Sequence, residues 1–325
     1  MDGNGISIIV PLYNEGENVR RLVSAVEMAL DVVEDWELIT VDDGSSDDTL
    51  KRLHEEQSHR PYMKVVTYLR NKGQGNALKA GFKAAKGDVI VTLDADLSYD
   101  PKDIMRLVEP LQTDRLLDIV IGSPYSRGGR TEGVPFFRLF LSRGANYLLG
   151  FALPGHLRTV TGMFRAYRRS LIECLDVQAD GKEIHFEILS KALATGSKVI
   201  EVPAVLRGRE AGKSKIHVRG AIVSHLLFSF FERPAILFEI IGSILLVLGL
   251  VSGVYIVWLW QHSELDPTRP LMLLMALLIL VGSIVLSFGF IASQIAEVRK
   301  EVYRVQRENL DIKRHLENRQ DGESS

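Results

Sequence analysis

The chain has one cysteine, Cys174, in 325 residues. That excludes an intramolecular disulfide framework and a cysteine-based zinc site. It also lacks a surplus of either charge: Lys and Arg total 39 against 41 Asp and Glu, for a net charge of −2. Nothing therefore supports nucleic-acid binding, which shows as a basic excess. Nothing at the N-terminus resembles a cleaved leader, because Ile6 to Leu12 runs straight into a polar turn. The expectation is a soluble part that folds where it is made.

What the chain has in quantity is two apolar runs, Ala235 to Trp260 and Leu271 to Ile291. Each reaches the roughly 20 residues a helix needs to cross about 30 Å of hydrocarbon. The linker from Gln261 to Pro270 is short and polar, so the pair reads as a transmembrane hairpin. Arg219 and Arg233 precede it and Arg299, Lys300 and Arg304 follow it, while the linker holds only Arg269. The positive-inside rule then places the N-terminal domain and the C-terminal tail in the cytoplasm. Between His217 and Phe231 an amphipathic pattern predicts an interfacial helix. The expected organisation is an α/β domain over 1–215, the interfacial helix over 216–234, two spans within 235–292 and a helix over 293–319.

Residues 6–122 alternate β-branched apolar runs with helical patterns, which predicts a largely parallel sheet covered on both faces. Ligands bind such sheets at the carboxyl ends of the strands, and those ends carry the unusual residues. Asp94-Ala95-Asp96 follows the run Val89 to Leu93. Strand alternation returns residues two apart to one side, so both carboxylates address one object. A hard divalent cation carrying a diphosphate suits them; a capped turn explains a lone triplet equally well. Two more polar turns, Tyr13-Asn14-Glu15 and Asp42 to Asp47, follow the first and second strands. Three on one rim imply a polar ligand, such as a base and ribose held by Asp43 and a diphosphate held through metal.

Two basic, glycine-bearing segments follow: Ser126 to Arg130, leading to a helix with Arg138 and Arg143, and Arg207 to Lys215. They suit a second phosphate near the first, or equally solvated loops or a basic face on anionic lipid. In the tail, Ile295, Val298, Val302, Val305, Asn309, Ile312 and Leu316 recur at intervals of three and four. That is a heptad seam with one asparagine at a core position, a device that fixes register in parallel coiled coils. A short amphipathic helix on the membrane is the rival reading.

The chain resembles the polyprenyl-phosphate glycosyltransferases of glycosyltransferase family 2, the group that includes dolichyl-phosphate mannosyltransferase. The motifs are Pro11-Leu12-Tyr13-Asn14-Glu15, Val41-Asp42-Asp43-Gly44-Ser45, Asn71 to Ala77, Asp94-Ala95-Asp96-Leu97-Ser98, Thr161 to Tyr167 and Gly212-Lys213-Ser214-Lys215, in that order. The resemblance implies a GT-A (Rossmann-like) fold and a Mg²⁺ or Mn²⁺ ion bridging aspartates to the diphosphate of a nucleotide sugar. It implies that Pro11, Tyr13, Glu15, Val41 and Asp43 line the nucleotide pocket. Asp94, with Ala95, lies by the sugar and diphosphate, and Asp96 is the main metal ligand beside Asp94 and Ser98. Arg127, Arg138, Arg209 and Lys215 contact the donor diphosphate and the phosphate of a polyprenyl or dolichyl acceptor, Arg127 and Arg138 in catalytic roles. Glu187 matches a family position that supports the site from behind.

The acceptor phosphate is ionised near neutral pH, so the implied reaction inverts the anomeric centre without a strong general base. Two departures leave the donor open. Arg158 to Arg165 lacks the preceding aspartate that mannosyl relatives often carry, and Ile184-His185 stands where Phe-Gln is common. GDP-mannose is favoured by the Gly-Lys-Ser-Lys and Phe-Arg-Ala-Tyr stretches, with UDP-glucose the alternative. A processive polysaccharide synthase would need a Gln-x-x-Arg-Trp motif and more spans. A non-catalytic oligomeric scaffold would have no reason to keep Asp43, Asp94 and Asp96 together.

Overall fold

The structure is a computed structural model that describes residues 5–135, 139, 142–144, 146, 150, 153, 157–208, 234–262 and 270–323. Its strands are β1 (Ile6–Leu12), β2 (Trp36–Asp42), β3 (Met63–Thr67), β4 (Val89–Thr92), β5 (Leu117–Ser123), β6 (Arg130–Glu132), β7 (Arg165–Arg168), β8 (Lys198–Pro203) and β9 (Val205–Arg207). The helices of this part are α1 (Val19–Ala29), α2 (Thr49–Gln57), α3 (Gln74–Ala84), α4 (Ile104–Thr113), α5 (Arg169–Cys174) and α6 (Ile184–Ala194). Seven strands make one sheet in the order β3-β2-β1-β4-β7-β5-β8, and β6 pairs with β9 beside it.

The strands form where β-branched residues run together, and both faces are covered. In β1, Ile8, Ile9 and Val10 are all fully buried, which is why the strand shows no polar alternation. Helix α1 buries Val19, Leu22, Val23 and Val26, a single stripe at helical spacing. Each such Leu, Ile or Val contributes about 1.5–3 kcal/mol relative to exposure, so the sheet interior holds the domain and its strand ends are free to carry polar groups.

β1 to β4 are mutually parallel, but β7 runs antiparallel to both β4 and β5. The sequence marked Thr161 to Tyr167 as a motif and gave no sign of a strand. The reason is that Arg165, Ala166 and Tyr167 are all fully buried in β7, so an arginine occupies a core position and no apolar period is visible.

Further along, the described residues form α7 (Pro234–Gln261) and α8 (Leu271–Glu323). Phe238–Gln261 and Leu271–Val298 are long and apolar enough to cross a membrane, with only 11% and 6% of their most apolar windows buried. Apolar side chains this open suit lipid rather than a soluble core. The two helices approach closely at glycines: a Cβ on Gly242 would lie 2.7 Å from Leu286 Cγ and 3.0 Å from Gly282 O. The helix that carries the second apolar run does not break after Ile291. α8 continues unbroken through the heptad segment, where Ile295, Val298, Val302 and Val305 are exposed. The expected interfacial helix over 216–234 falls, except for Pro234, outside the described residues.

Candidate active site

The strand order reverses between β1 and β4: β2 and β3 extend one way from β1 and β4 the other. Open α/β sheets place their ligand crevice at such a switch point. Proline is unusual in a central strand because it lacks an N–H for the ladder, yet Pro11 sits in β1. β4 pairs with β1 only as far as Ile9 opposite Thr92, so at Pro11 no strand remains on that side to accept a bond. The loss of pairing costs nothing there and opens the crevice.

The first polar turn is tied to the second. Asn14 has φ 51, a left-handed conformation that Asn tolerates. Its N–H donates to Ser45 Oγ at 2.8 Å and its Oδ1 accepts from Ser46 N at 2.7 Å. Glu15 Oε2 accepts from Asn18 Nδ2 at 2.7 Å. At the start of α2, Asp48 occupies the cap position, but Asp47 supplies the side-chain oxygen to Thr49 N at 2.9 Å.

Asp43 follows β2 and is buried. Its two carboxylate oxygens accept from Lys72 N at 2.7 Å and Gly73 N at 2.9 Å. Burial pushes its pKa up, and the two amide bonds offset only part of that rise. Asp43 therefore fixes the Asn71–Gly75 turn, a role the sequence did not indicate.

Asp94 and Asp96 stand beyond the end of β4, in a turn rather than on the strand. Strand alternation is thus not what aligns them. The turn closes through Leu97 at φ 55 and through Asp96 Oδ1, which accepts from Ser98 N at 3.1 Å. A left-handed leucine is strained, and such strain persists where surrounding structure enforces it, often at functional sites. Ala95 packs into the core, which leaves both half-buried carboxylates on the lining of one cleft of about 180 Å³. Ser98 and Tyr99 line it too. Tyr99 stacks on Phe164 at 4.9 Å; burial first, and then the Asp94 charge, push its phenol pKa upward, so it stays protonated.

The facing wall is built from Thr159, Thr161, Gly162, Met163, Lys182 and His185. Its backbone is held at several points. Glu201 of β8 accepts from Thr159 N at 2.7 Å, and Asn146 Oδ1 accepts from Val160 N at 2.6 Å and Thr161 N at 3.0 Å. Fully buried Arg165 donates through Nη1 to His185 O at 2.8 Å and through Nη2 to Val160 O. One guanidinium fork thus ties together the two segments of that wall.

The structure brings Asp94, Asp96 and Ser98 into the cleft and adds Gln74, Tyr125, Asn146, Lys182 and His185, most of which the sequence did not single out. Their shared signal was weak: amides, hydroxyls and a lysine scattered over a hundred residues. Half-buried Pro11 and Glu15 and exposed Tyr13 lie on the adjoining rim rather than in the cleft lining. Val41 is fully buried within β2, so its side chain is withdrawn from the site. Arg127 is exposed on the turn after β5. Arg138, Arg209 and Lys215 lie outside the described residues. From the second basic segment, Arg207 meets Asp100 at 3.0 Å, and its N–H donates to Ser98 O at 2.8 Å.

Among the described residues no cluster of three His, Cys, Asp or Glu groups forms a closed metal cage. Two carboxylates and a hydroxyl are nevertheless hard oxygen donors on one cleft. That set fits Mg²⁺ or Mn²⁺ with coordination positions left for substrate oxygens, the usual arrangement for a cation shared with a diphosphate.

This sheet order and crevice define a GT-A glycosyltransferase domain. Residues 7–176 match the model of Glycosyl transferase family 2, and the chain belongs to that family. It is 38% identical over 213 residues to a dolichol-phosphate mannosyltransferase of Pyrococcus furiosus, covering 65% of this chain but only 59% of that relative. It is 31% identical over 309 residues to an undecaprenyl-phosphate 4-deoxy-4-formamido-L-arabinose transferase of Enterobacter sp., covering 91% of this chain and 90% of that one. The fold is shared with glucosyl-3-phosphoglycerate synthase of Mycobacterium tuberculosis: TM-score 0.55, 23% identity, 70% of this chain and 80% of that one.

Proposed function

We propose that the protein is an inverting glycosyltransferase that moves a hexose from a nucleotide sugar to a polyprenyl or dolichyl phosphate at the cytoplasmic face of a membrane. The observation that carries the reading is the cleft beyond the end of β4, which Asp94, Asp96, Ser98, Lys182 and His185 line together. Mannose from GDP-mannose is the first choice, on the mannosyltransferase-like motifs and the relative of that name, with UDP-glucose the alternative. Transfer of formamido-arabinose is a second reading, favoured by the relative that matches nine-tenths of both chains.

In this mechanism the rim residues Pro11, Tyr13 and Glu15, with Asp43 and its turn, hold the nucleoside. Asp94 and Asp96, with Ser98, are the residues that would hold Mg²⁺ or Mn²⁺ near the diphosphate end of the donor. The cation, when bound, neutralises charge that develops as the bond between the anomeric carbon and the diphosphate breaks. An oxygen of the lipid phosphate attacks that carbon from the opposite face. The phosphate arrives ionised, so no proton is removed and no general base is needed. Lys182, Arg127, Arg138, Arg209 and Lys215 orient the two anionic partners. Catalysis then consists of positioning and charge stabilisation.

The two apolar helices keep the enzyme at the membrane where its lipid substrate resides, with domain and tail on the basic, cytoplasmic side. The α8 seam assembles a homo-oligomer with parallel tails. The test is a panel of labelled GDP-mannose, UDP-glucose and UDP-formamido-arabinose offered with one polyprenyl phosphate and Mg²⁺ or Mn²⁺. One donor giving a lipid-linked sugar of inverted configuration supports the reading; no transfer from any of them counts against it.

A further inference from the structure

Behind the cleft, α6 carries a buried ion pair that the reaction described above does not use. Glu187 is 3% exposed and Lys191 8%, and Glu187 Oε1 lies 2.6 Å from Lys191 Nζ. Burying two charges costs several kcal/mol per ion before their attraction is counted, so such a pair is a poor means of gaining stability alone. The carboxylate has further partners. It accepts from Gln178 N at 2.9 Å and from Ala179 N at 2.7 Å, and Lys191 donates onward to Asp176 O. All these contacts hold the segment 176–180.

That segment is the seat of the turn that Asp43 grips. Asp180 O accepts from Gly75 N at 2.8 Å and Asn76 N at 3.3 Å, at the start of α3. The contact is flush: a Cβ on Gly73 would lie 2.4 Å from Asp180 O and one on Gly75 2.3 Å from Ala179 O. Lys79 adds bonds to Gln178 O and Asp180 Oδ1 from the far side. The turn so seated presents Lys72 N and Gly73 N to Asp43, and it puts Gln74 on the cleft, where its Nε2 meets Met163 Sδ at 3.2 Å.

We propose that Glu187, neutralised by Lys191, is a positioning residue for the donor: it seats 178–180, which seats Gly73–Asn76, which sets Asp43 and Gln74 for the nucleotide sugar. Helix α6 then serves the site twice, with His185 on the cleft and Glu187, two residues on and so turned to the other side of the helix, as a strut. The link from Asp43 to the nucleotide rests on the function proposed above.

The test uses the full chain in detergent, with Glu187→Gln and the double variant Glu187→Gln/Lys191→Met. Gln in place of Glu keeps one acceptor oxygen and sets an NH₂ where the other stood among the donors Gln178 N, Ala179 N and Lys191 Nζ, and it removes the counter-charge of Lys191. The double variant removes the stranded charge and restores folding stability, but it still lacks one of the two acceptor oxygens. Amide hydrogen exchange over 72–76 and 176–180 is measured without nucleotide, and binding of UDP and GDP by calorimetry. Both variants are expected to exchange faster over both segments and to bind the nucleotide about tenfold more weakly, the consequence of about 1.4 kcal/mol. Recovery of binding together with stability in the double variant, or unchanged exchange over 72–76, overturns the proposal. If the unsubstituted protein binds neither UDP nor GDP, the donor reading fails, while the exchange measurement still decides the strut.

Discussion

Gly44 gives a quantitative test of how the Asp43 rim is packed. It adopts φ +66, and a Cβ there would fall 2.4 Å from Arg70 C, 2.6 Å from Asn71 N and 2.8 Å from Arg70 Cα. All three neighbours are backbone, so none can swing aside as a side chain would. Gly44→Ala therefore carries a left-handed conformational cost of about 1–2 kcal/mol and an overpacking cost of about 1–3 kcal/mol. Gly133 separates the two effects. Its φ is +64, but the nearest described atom to its Cβ position, Gly208 N, is 3.8 Å away. Gly133→Ala thus meets the conformational cost alone. At about 2–4 °C per kcal/mol for a domain of this size, Gly44→Ala lowers the thermal midpoint by about 4–20 °C and Gly133→Ala by about 2–8 °C. Unfolding of both variants in one detergent, followed by circular dichroism and nucleotide binding, provides the comparison. Because the displaced segment leads directly into Lys72 and Gly73, Gly44→Ala also weakens nucleotide binding, and Gly133→Ala does not. Equal losses of stability, or normal nucleotide binding by Gly44→Ala, would refute the packing argument.

Much of this architecture is legible in the residues because its strands are buried on both sides. Ile6 to Leu12, Trp36 to Asp42 and Val89 to Thr92 are runs of β-branched and aliphatic residues with polar turns at one end, and the sheet forms where those runs are. The first two polar turns do meet, through Asn14 with Ser45 and Ser46. What the sequence concealed was long-range. Arg165 reads as a basic residue in a motif, yet it is a core side chain whose partners are two carbonyls, Val160 O and His185 O. Asp43 reads as a ligand-facing acid, and each of its oxygens also accepts an amide bond from a turn 29 and 30 residues away. Strand alternation gave the right outcome for Asp94 and Asp96 by a mechanism that does not operate, since the turn through Leu97 sets their directions. Such features depend on partners brought together by folding, and no local period records them.

Three further outcomes are expected. Arg165→Lys leaves one of the two carbonyls without its donor and destabilises the domain by about 1.5–3 kcal/mol; chemical denaturation measures that, and kcat falls with it because the wall bearing His185 loosens. Burial raises the pKa of Asp100, but the Lys102 amide and the Arg207 side chain outweigh it and hold the carboxyl below its ordinary 3.8. Its contribution is therefore fully present above that value and lost as pH falls through the lowered one. Asp100→Asn should be less stable than the parent at pH 7 by about 1 kcal/mol or less, a gap that closes in acid. Ending the chain after Ile291 removes the exposed seam of Ile295, Val298, Val302 and Val305; cross-linking in membranes should then show a smaller assembly, and an unchanged one removes the tail from the account.

The most direct measurement is sugar transfer to polyprenyl phosphate by the parent chain and by Asp96→Asn, both confirmed as folded in the membrane. The account predicts a lipid-linked, configurationally inverted product from the parent and a rate roughly 10²–10³-fold lower from the variant, the scale of losing a principal charge-stabilising contact. Near-normal turnover by Asp96→Asn would contradict the claim that this carboxylate holds the cation at the departing diphosphate.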